Sequence, residues 1–550
     1  MTRRPLLSLL GLVSIVVLGV SMRPLRKLHT TFTENELAHF VDALPIPKHV
    51  NLRGKGPQEI TVSLSAFSAK LHRDLPAQVQ WGYAGTTPGP TIDVDSGQTV
   101  RIHWKNDLPA KHLFTLPKNL PTEMDMPGMP GMKMTMPDVR AVTHLHGAVV
   151  TESDPMNKVQ NNDGWPDAWN VPGESQLAEY GNPQPAMTLW YHDHAMASTG
   201  RNVAAGLLGT YIIHDAYEKS LGLPSGAYDI PLMLISKGVN KDGTLFYTDD
   251  INSEFWGNVP SVNGKLWPYL AVEPRKYRFR FINASNARAY ELKLERSKDG
   301  APGPAFNQIG SDGGFLASTA LLNDPRDPDA SRLSLMPAER ADIIVDFSKF
   351  AGQSFTLTNV SVTADDEEPL PEIMQFRVGK TVKKTDPSKL PLTMRAIPRI
   401  PTADVSETRR IVFDRIKMPD GSKMLQMNGL SWNDPIEEKP KLGATEVWEL
   451  ANTLIDPHPF HIHMVQFQVL DRRLFDVAEY IISGKVVYIG EALLPEPNET
   501  GWKDTVKLLP QMVTRIIMRF SPFPGFYVYH CHILEHEDMD MMRPFEIVGP

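Results

Sequence analysis

Along most of the chain, apolar and polar residues alternate with a period of two. Windows with the three-to-four-residue spacing of a long amphipathic helix are scarce. Ile92, Val94, Val100, Ile102 and Trp104 are separated by polar neighbours, as one buried sheet face requires. Gly and Pro are scattered between these runs rather than clustered. That pattern predicts many short strands joined by turns, the arrangement of β-sandwiches.

A unit recurs along the chain. Pro88-Gly89 is followed by Val100-Arg101-Ile102-His103-Trp104-Lys105-Asn106. Asn263-Gly264 is followed by Tyr277-Arg278-Phe279-Arg280-Phe281-Ile282-Asn283, and Asn428-Gly429 by Glu446-Val447-Trp448-Glu449-Leu450-Ala451-Asn452. Each copy is a glycine turn and then an alternating strand that closes on Asn. Three separated copies predict three similar domains in series, over 45–216, 225–385 and 405–550. The stretch 385–405, rich in Lys, Asp and Pro, reads as a linker. The expected fold class is all-β, with three consecutive Greek-key β-sandwich or barrel domains.

Composition narrows the picture. Of 550 residues, 41% are hydrophobic, enough for ordinary cores in a chain of this length. The formal net charge is -8 and there is no long basic run, so no nucleic-acid partner is expected. Arg3 and Arg4 precede an uncharged stretch from Leu6 to Met22, and Arg23, Arg26 and Lys27 follow it. Residues 1–22 read as a signal or membrane-anchor segment, with a faint twin-arginine character. The remainder is expected to be periplasmic, extracellular, or anchored on the outer face of a membrane through residues 6–22. Residues 121–137 carry Met124, Met126, Met129, Met132, Met134 and Met136 among Pro and Gly. Pro and Gly at that density predict an exposed loop with neither helix nor strand. Thioethers are soft ligands that suit Cu(I), although the stretch also reads as plain low-complexity loop.

The histidines carry the chemistry. Of 17, ten fall in four short clusters, and none lies between His214 and His458. The clusters are His144/His146, His192/His194, His458/His461/His463, and His530-Cys531-His532 with His536 and Met541 after it. Cys531 is the only cysteine, so it has no intramolecular disulfide partner. If 530–532 is extended, His530 and His532 point one way and Cys531 the other, so one strand serves two sites. His461 and His463 share a face, and an extended segment turns His458 to the opposite one. One site then holds His458, Cys531, His536 and Met541: two imidazoles, a thiolate and a thioether, the donor set of blue copper. The other holds eight imidazoles, too many for one ion but enough for three coppers. Zinc fits poorly, because structural zinc recruits several Cys and catalytic zinc needs about three ligands.

His-X-His-Gly, His-X-His, His-Pro-X-His-X-His and His-Cys-His-X3-His-X4-Met resemble the four copper motifs of multicopper oxidases. The chain is most similar to the bacterial spore-coat laccase group, related to bilirubin oxidase. Trp190-Tyr191-His192-Asp193-His194-Ala195-Met196, Pro274-Arg275-Lys276-Tyr277-Arg278-Phe279-Arg280 and His536-Glu537-Asp538-Met539-Asp540-Met541-Met542-Arg543-Pro544 carry that likeness. The N-terminal segment and the Met-rich stretch depart from the spore-coat pattern. The resemblance implies three cupredoxin-like domains and four copper ions: one type 1, one type 2 and two type 3. It implies that His458, Cys531, His536 and Met541 hold type 1, and that His144 and His461 hold type 2. His146, His192, His194, His463, His530 and His532 would hold the type 3 pair, and the middle domain would give no ligand. It further implies proton-handling roles for Glu537 and Asp163, and electron passage through Cys531. The expected activity is laccase-like, oxidising phenolic or aromatic donors and reducing dioxygen to water. A thioether at position 541 keeps the type 1 potential lower than a non-coordinating side chain would, which favours easily oxidised donors. A cuprous oxidase for copper detoxification and a bilirubin oxidase-like enzyme are the alternative activities. A monomer is expected.

Overall fold

The computed structural model describes residues 32, 36–126, 129–151, 156–327, 331–361, 369–417 and 423–549. The expected signal or anchor at 1–22 lies outside the described residues. Among them the longest helices have seven residues (Thr199–Ala205 and Val477–Ser483), and no helix is long and apolar enough to cross a membrane.

Apart from one small hairpin, the strands form three pairs of packed sheets. The first pair is drawn from His49–Asn51 through Leu208–His214, the second from Asp229–Val239 through Glu372–Val378, and the third from Val405–Lys417 through Met542–Ile547. Each pair encloses its own apolar core, built around Ile92 and Trp104, around Phe279 and Ile343, and around Trp448 and Phe460.

The recurring unit occupies the same place in all three. Val100–Asp107, Lys276–Asn283 and Thr445–Asn452 each pair in parallel with the strand Gln58–Ala69, Asp229–Val239 or Val405–Lys417. The closing Asn also acts alike in each. Its Oδ1 accepts the backbone N–H two residues on, from Leu108 (3.1 Å), Ser285 (3.0 Å) and Leu454 (2.9 Å). That local bond bends the chain off the sheet, which is why Asn recurs there. The second and third copies share their turn as well. Asn263 and Gly264 have φ of 48° and 86°, Asn428 and Gly429 of 54° and 68°, the left-handed pair that a tight hairpin needs.

The alternation holds on Val100–Asp107, where Val100, Ile102 and Trp104 are buried and Arg101 and Lys105 exposed. It fails on Gly89–Asp95, a strand inside its sheet between His49–Asn51 and Leu208–His214, which is buried on both faces up to Val94. The Met-rich stretch also departs from expectation. Glu123–Met126 and Met129–Thr135 form an antiparallel hairpin with Met124 opposite Met134. Met124 and Met134 pack over Val142, Trp169 and Ala195, and Met136 is buried beside Leu120 and Ile251. Burial of those thioethers and backbone pairing outweigh the local cost of Pro and Gly.

Candidate metal centres

Strand register brings the histidine clusters together. Thr143–His146 and Met187–Asp193 run antiparallel with His144 opposite His192, and His194 follows at the strand end. In the third unit, His458–Ile462 pairs with Gly525–Cys531, placing His461 opposite His530 and Phe460 opposite Cys531. The two strand pairs face each other across a seam between the first and third units. There His146 stacks on His461 with ring centroids 3.6 Å apart, and His144 on His463 at 3.8 Å.

Parity divides the donors as expected. Cys531 Sγ lies 3.4 Å from His458 Nδ1 and 3.7 Å from His536 Nδ1, in a buried group with Met541. The backbone holds this loop closed, because Cys531 N–H donates to the Met541 carbonyl (3.0 Å) and Met541 N–H to the His536 carbonyl (2.8 Å). On the other side, the structure resolves what spacing left undivided. His146, His192 and His532 form one trio, His194, His463 and His530 another, and His144 and His461 converge with His146.

The ring nitrogens suit a metal. The outward Nδ1–H of His144, His461 and His192 donates to the carbonyl of Asp163, Asp504 (2.9 Å) and Asp193 (2.8 Å) respectively. The inward Nε2 of each is buried with no hydrogen-bond partner among the described residues, and His532 has neither nitrogen paired. His530 Nε2 faces His194 Nε2 at 3.3 Å and His463 Nε2 at 3.4 Å. Fixing one nitrogen and leaving the other as a bare lone pair is how proteins prepare imidazole for a cation. Burial, reinforced by the neighbouring rings, pushes His192 down to about 3 and holds His144, His146, His461, His463 and His532 well below 6.5. The rings are therefore neutral and free to ligate at pH 7. His536 is the opposite case. Burial works to lower it, but hydrogen bonds with Cys531 and Glu254 outweigh that and raise it to about 10. On the same side of the strand, burial and the neighbouring His536 push His458 down to about 3.

Asp163 and Glu537 both lie against the histidines. Asp163 Oδ2 accepts from His463 Nδ1 (2.8 Å), while the Asp163 carbonyl serves His144. The Glu537 carboxylate lies 3.1 Å from His530 Nδ1 and 3.4 Å from His194 Nδ1. Other supports were invisible in the sequence. Asp504 Oδ1 sits 3.2 Å from His146 Nε2, and Arg340 of the middle unit clamps Asp504 with two contacts of 2.6 Å. The Gly of His-X-His-Gly has its reason here. Gly147 has φ of 86°, and a Cβ would stand 2.7 Å from both Arg340 and Asp504. The middle unit also sends Glu254 to His536 Nε2 (3.1 Å).

Three β-sandwich units with a Cys–His–Met set and a buried histidine nest define a copper protein of the oxidase class. Family models described as multicopper oxidase match residues 404–549, and 68–137 together with 135–218. A laccase of Bacillus subtilis (strain 168) is 41% identical, over 94% of this chain and 99% of its own length. A laccase of Bacillus stratosphericus is 40% identical, over 93% and 99%. The solved structure of the McoA multicopper oxidase from the hyperthermophile Aquifex aeolicus matches with a TM-score of 0.72 at 26% identity, covering 93% of this chain and 100% of that one. The chain belongs to the multicopper oxidase family and binds copper.

The neutral rings make the copper-free protein acid-sensitive. The unfolded chain takes up protons on histidine near 6.5, whereas folded His192 resists until about 3. The unfolded state therefore binds more protons in that window, so stability is complete above pH 6.5 and falls as pH drops towards 3. The denaturant midpoint of copper-free protein should decline steadily from pH 6.5 to 4; a flat profile would contradict neutral buried rings.

Proposed function

We propose that this protein is a laccase-type oxidase that takes single electrons from phenolic or aromatic donors and reduces dioxygen to water. The observation that carries the reading is the sorting of donors about Cys531. A thiol–imidazole–thioether set lies on one side of its strand, and His530 and His532 on the other join the histidine nest. In this reading His458, Cys531, His536 and Met541 hold type 1 copper, and His144 and His461 hold type 2. The trio His146, His192 and His532 and the trio His194, His463 and His530 hold the type 3 pair, giving four ions in all. Bound copper supplies the one-electron redox chemistry that couples donor oxidation to four-electron reduction of dioxygen.

The chain does the rest. Cys531 joins the two sets through a single peptide bond on either side, a short covalent path. The carbonyls of Asp163, Asp193 and Asp504 fix the ring orientations. Glu537, buried against His194 and His530, would carry protons to that side of the nest, and Asp163 to the His144 and His463 side. Glu254 holds the Nε2 edge of His536, where it keeps the imidazole electron-rich and so tunes the type 1 potential. Residues 6–22 would direct export or anchor the enzyme on the outer face, and 45–216, 225–385 and 405–550 would be its three domains, acting as a monomer.

The deciding experiment is dioxygen uptake by copper-loaded protein with a methoxyphenol or with Cu(I) as sole donor, each corrected for its uncatalysed rate. The phenol should be turned over faster. Faster turnover of Cu(I) would instead make the enzyme a cuprous oxidase, and no uptake with either would end the oxidase reading.

Glu537→Gln should slow turnover by roughly 10²–10⁴-fold, the usual weight of a positioned proton donor, while the blue absorption persists. Unchanged turnover would remove Glu537 from the proton path. Glu254→Gln should raise the type 1 potential on the order of 60 mV, the equivalent of ~1.4 kcal/mol in a one-electron couple. Redox titration of the blue band reads it directly, and an unmoved potential would leave Glu254 a mere surface cap.

A further inference from the structure

The eight histidines of the nest are at most 2% exposed, so any ion that fills it once the chain has folded must travel through the protein. A cavity of about 280 Å³ lies between the first and third units. Its outer rim includes exposed Asn119, Pro121 and Glu123, and its inner wall includes Glu537, itself 1% exposed. Glu537 is the residue that touches His194 and His530. Six thioether side chains line the space: Met124, Met136, Met196, Met424, Met539 and Met542. Of the 24 methionines in the chain, a quarter thus gather in one passage, Met124 from the hairpin and Met136 from the residue directly after it.

The carboxylates of the same cavity point to a cation. Asp167 accepts from the Trp432 indole N–H through Oδ2 (2.8 Å), while its buried Oδ1 has no partner among the described residues. Asp538 and Asp540 also line the wall, Asp538 accepting from the Thr199 and Gly200 N–H and Asp540 from the Trp432 N–H and the Gln426 amide, so Asp167 holds the open oxygen. Thioethers are soft donors with little affinity for hard divalent ions, whereas a soft monovalent ion matches them. Clustered carboxylates raise the local concentration of any cation. None of His458, Cys531, His536 or Met541 lines the cavity.

We propose that this cavity is a cuprous-ion intake that loads the histidine nest, with the methionines passing Cu(I) inward to Glu537, His194 and His530. It rests on the copper reading above but concerns how the sites are filled, not what they oxidise. The ion moves as Cu(I) throughout, so no electron is exchanged along the way.

The test uses full-length copper-free protein and a Met124→Leu/Met136→Leu/Met424→Leu variant, a swap that keeps volume and apolar character. Cu(I) is added anaerobically and quenched at intervals with a chelator. After reoxidation the blue absorption reads the Cys531 set, and the type 2 electron paramagnetic resonance signal reads the nest. The variant should fill the nest about tenfold more slowly, the low end of what lost metal-site support costs, while the Cys531 set fills at the normal rate. Equal filling of the nest in both proteins, or an equal slowing of both sets, would overturn the proposal. A second measurement titrates Ag(I), redox-inert and equally soft, into copper-loaded protein. The native chain should bind additional Ag(I) that the variant loses, and no additional binding by the native chain would also overturn it. Phenol-driven dioxygen uptake by the fully loaded native protein is recorded alongside, so that failure of the oxidase reading is separable from failure of the intake.

Discussion

Eight imidazoles meeting in a dry seam set the terms for the rest of this protein. Neutral rings at stacking distance carry lone pairs that water cannot reach and that other side chains do not satisfy. Such a cluster costs free energy in the copper-free fold, because buried unpaired polar atoms do. It survives because every ring but His532 is held from behind. Carbonyls at Asp163, Asp193 and Asp504 hold three of them, and the Asp163 and Glu537 carboxylates stand behind others. The seam also explains why two sandwiches are locked together here, since neither can complete the nest alone.

The middle unit gives no donor to either set, yet it governs both. Its Arg340 clamps Asp504, which in turn contacts His146, and its Glu254 reaches His536. Arg340 is 2% exposed, as deep as the rings it supports. Removing one partner of so buried a pair typically costs about 3–5 kcal/mol, because the other charge is left stranded. Arg278 and Arg280 repeat the device on the far side, where Glu218, in the helix Ala216–Leu221 that joins the first unit to the second, holds both, at 2.7 and 3.0 Å. The histidine-free stretch is thus a scaffold wired by ion pairs to its neighbours.

How much of this was legible in the sequence depends on how local each feature is. The side on which Cys531 lies follows from strand parity alone, and the structure places Cys531, His458 and His536 together. The three Asn-closed strands were equally legible, since an Asn that bends its own backbone acts within two residues. The division of six histidines into two trios was not, because it depends on register between strands from different units. Arg340, Asp504 and Glu254 carry no spacing clue, being brought to the histidines only by the docking of sandwiches. The Met-rich hairpin was misread for a related reason: Pro and Gly report local preference, while the packing of Met124 and Met134 over Trp169 is tertiary.

The half-nest built from His144 to His194 has a consequence for biosynthesis. During translation those four rings emerge 264 residues before His458, the first histidine of the third unit. At ~5–20 residues per second, the first sandwich waits tens of seconds without its counterpart. Throughout that interval it displays two His-X-His pairs that any available divalent ion can seize. From residue 215 to 457 the chain has no histidine to divert or relieve them. Faithful assembly of this enzyme is therefore a matter of timing as well as affinity, and the ribosome sets the clock.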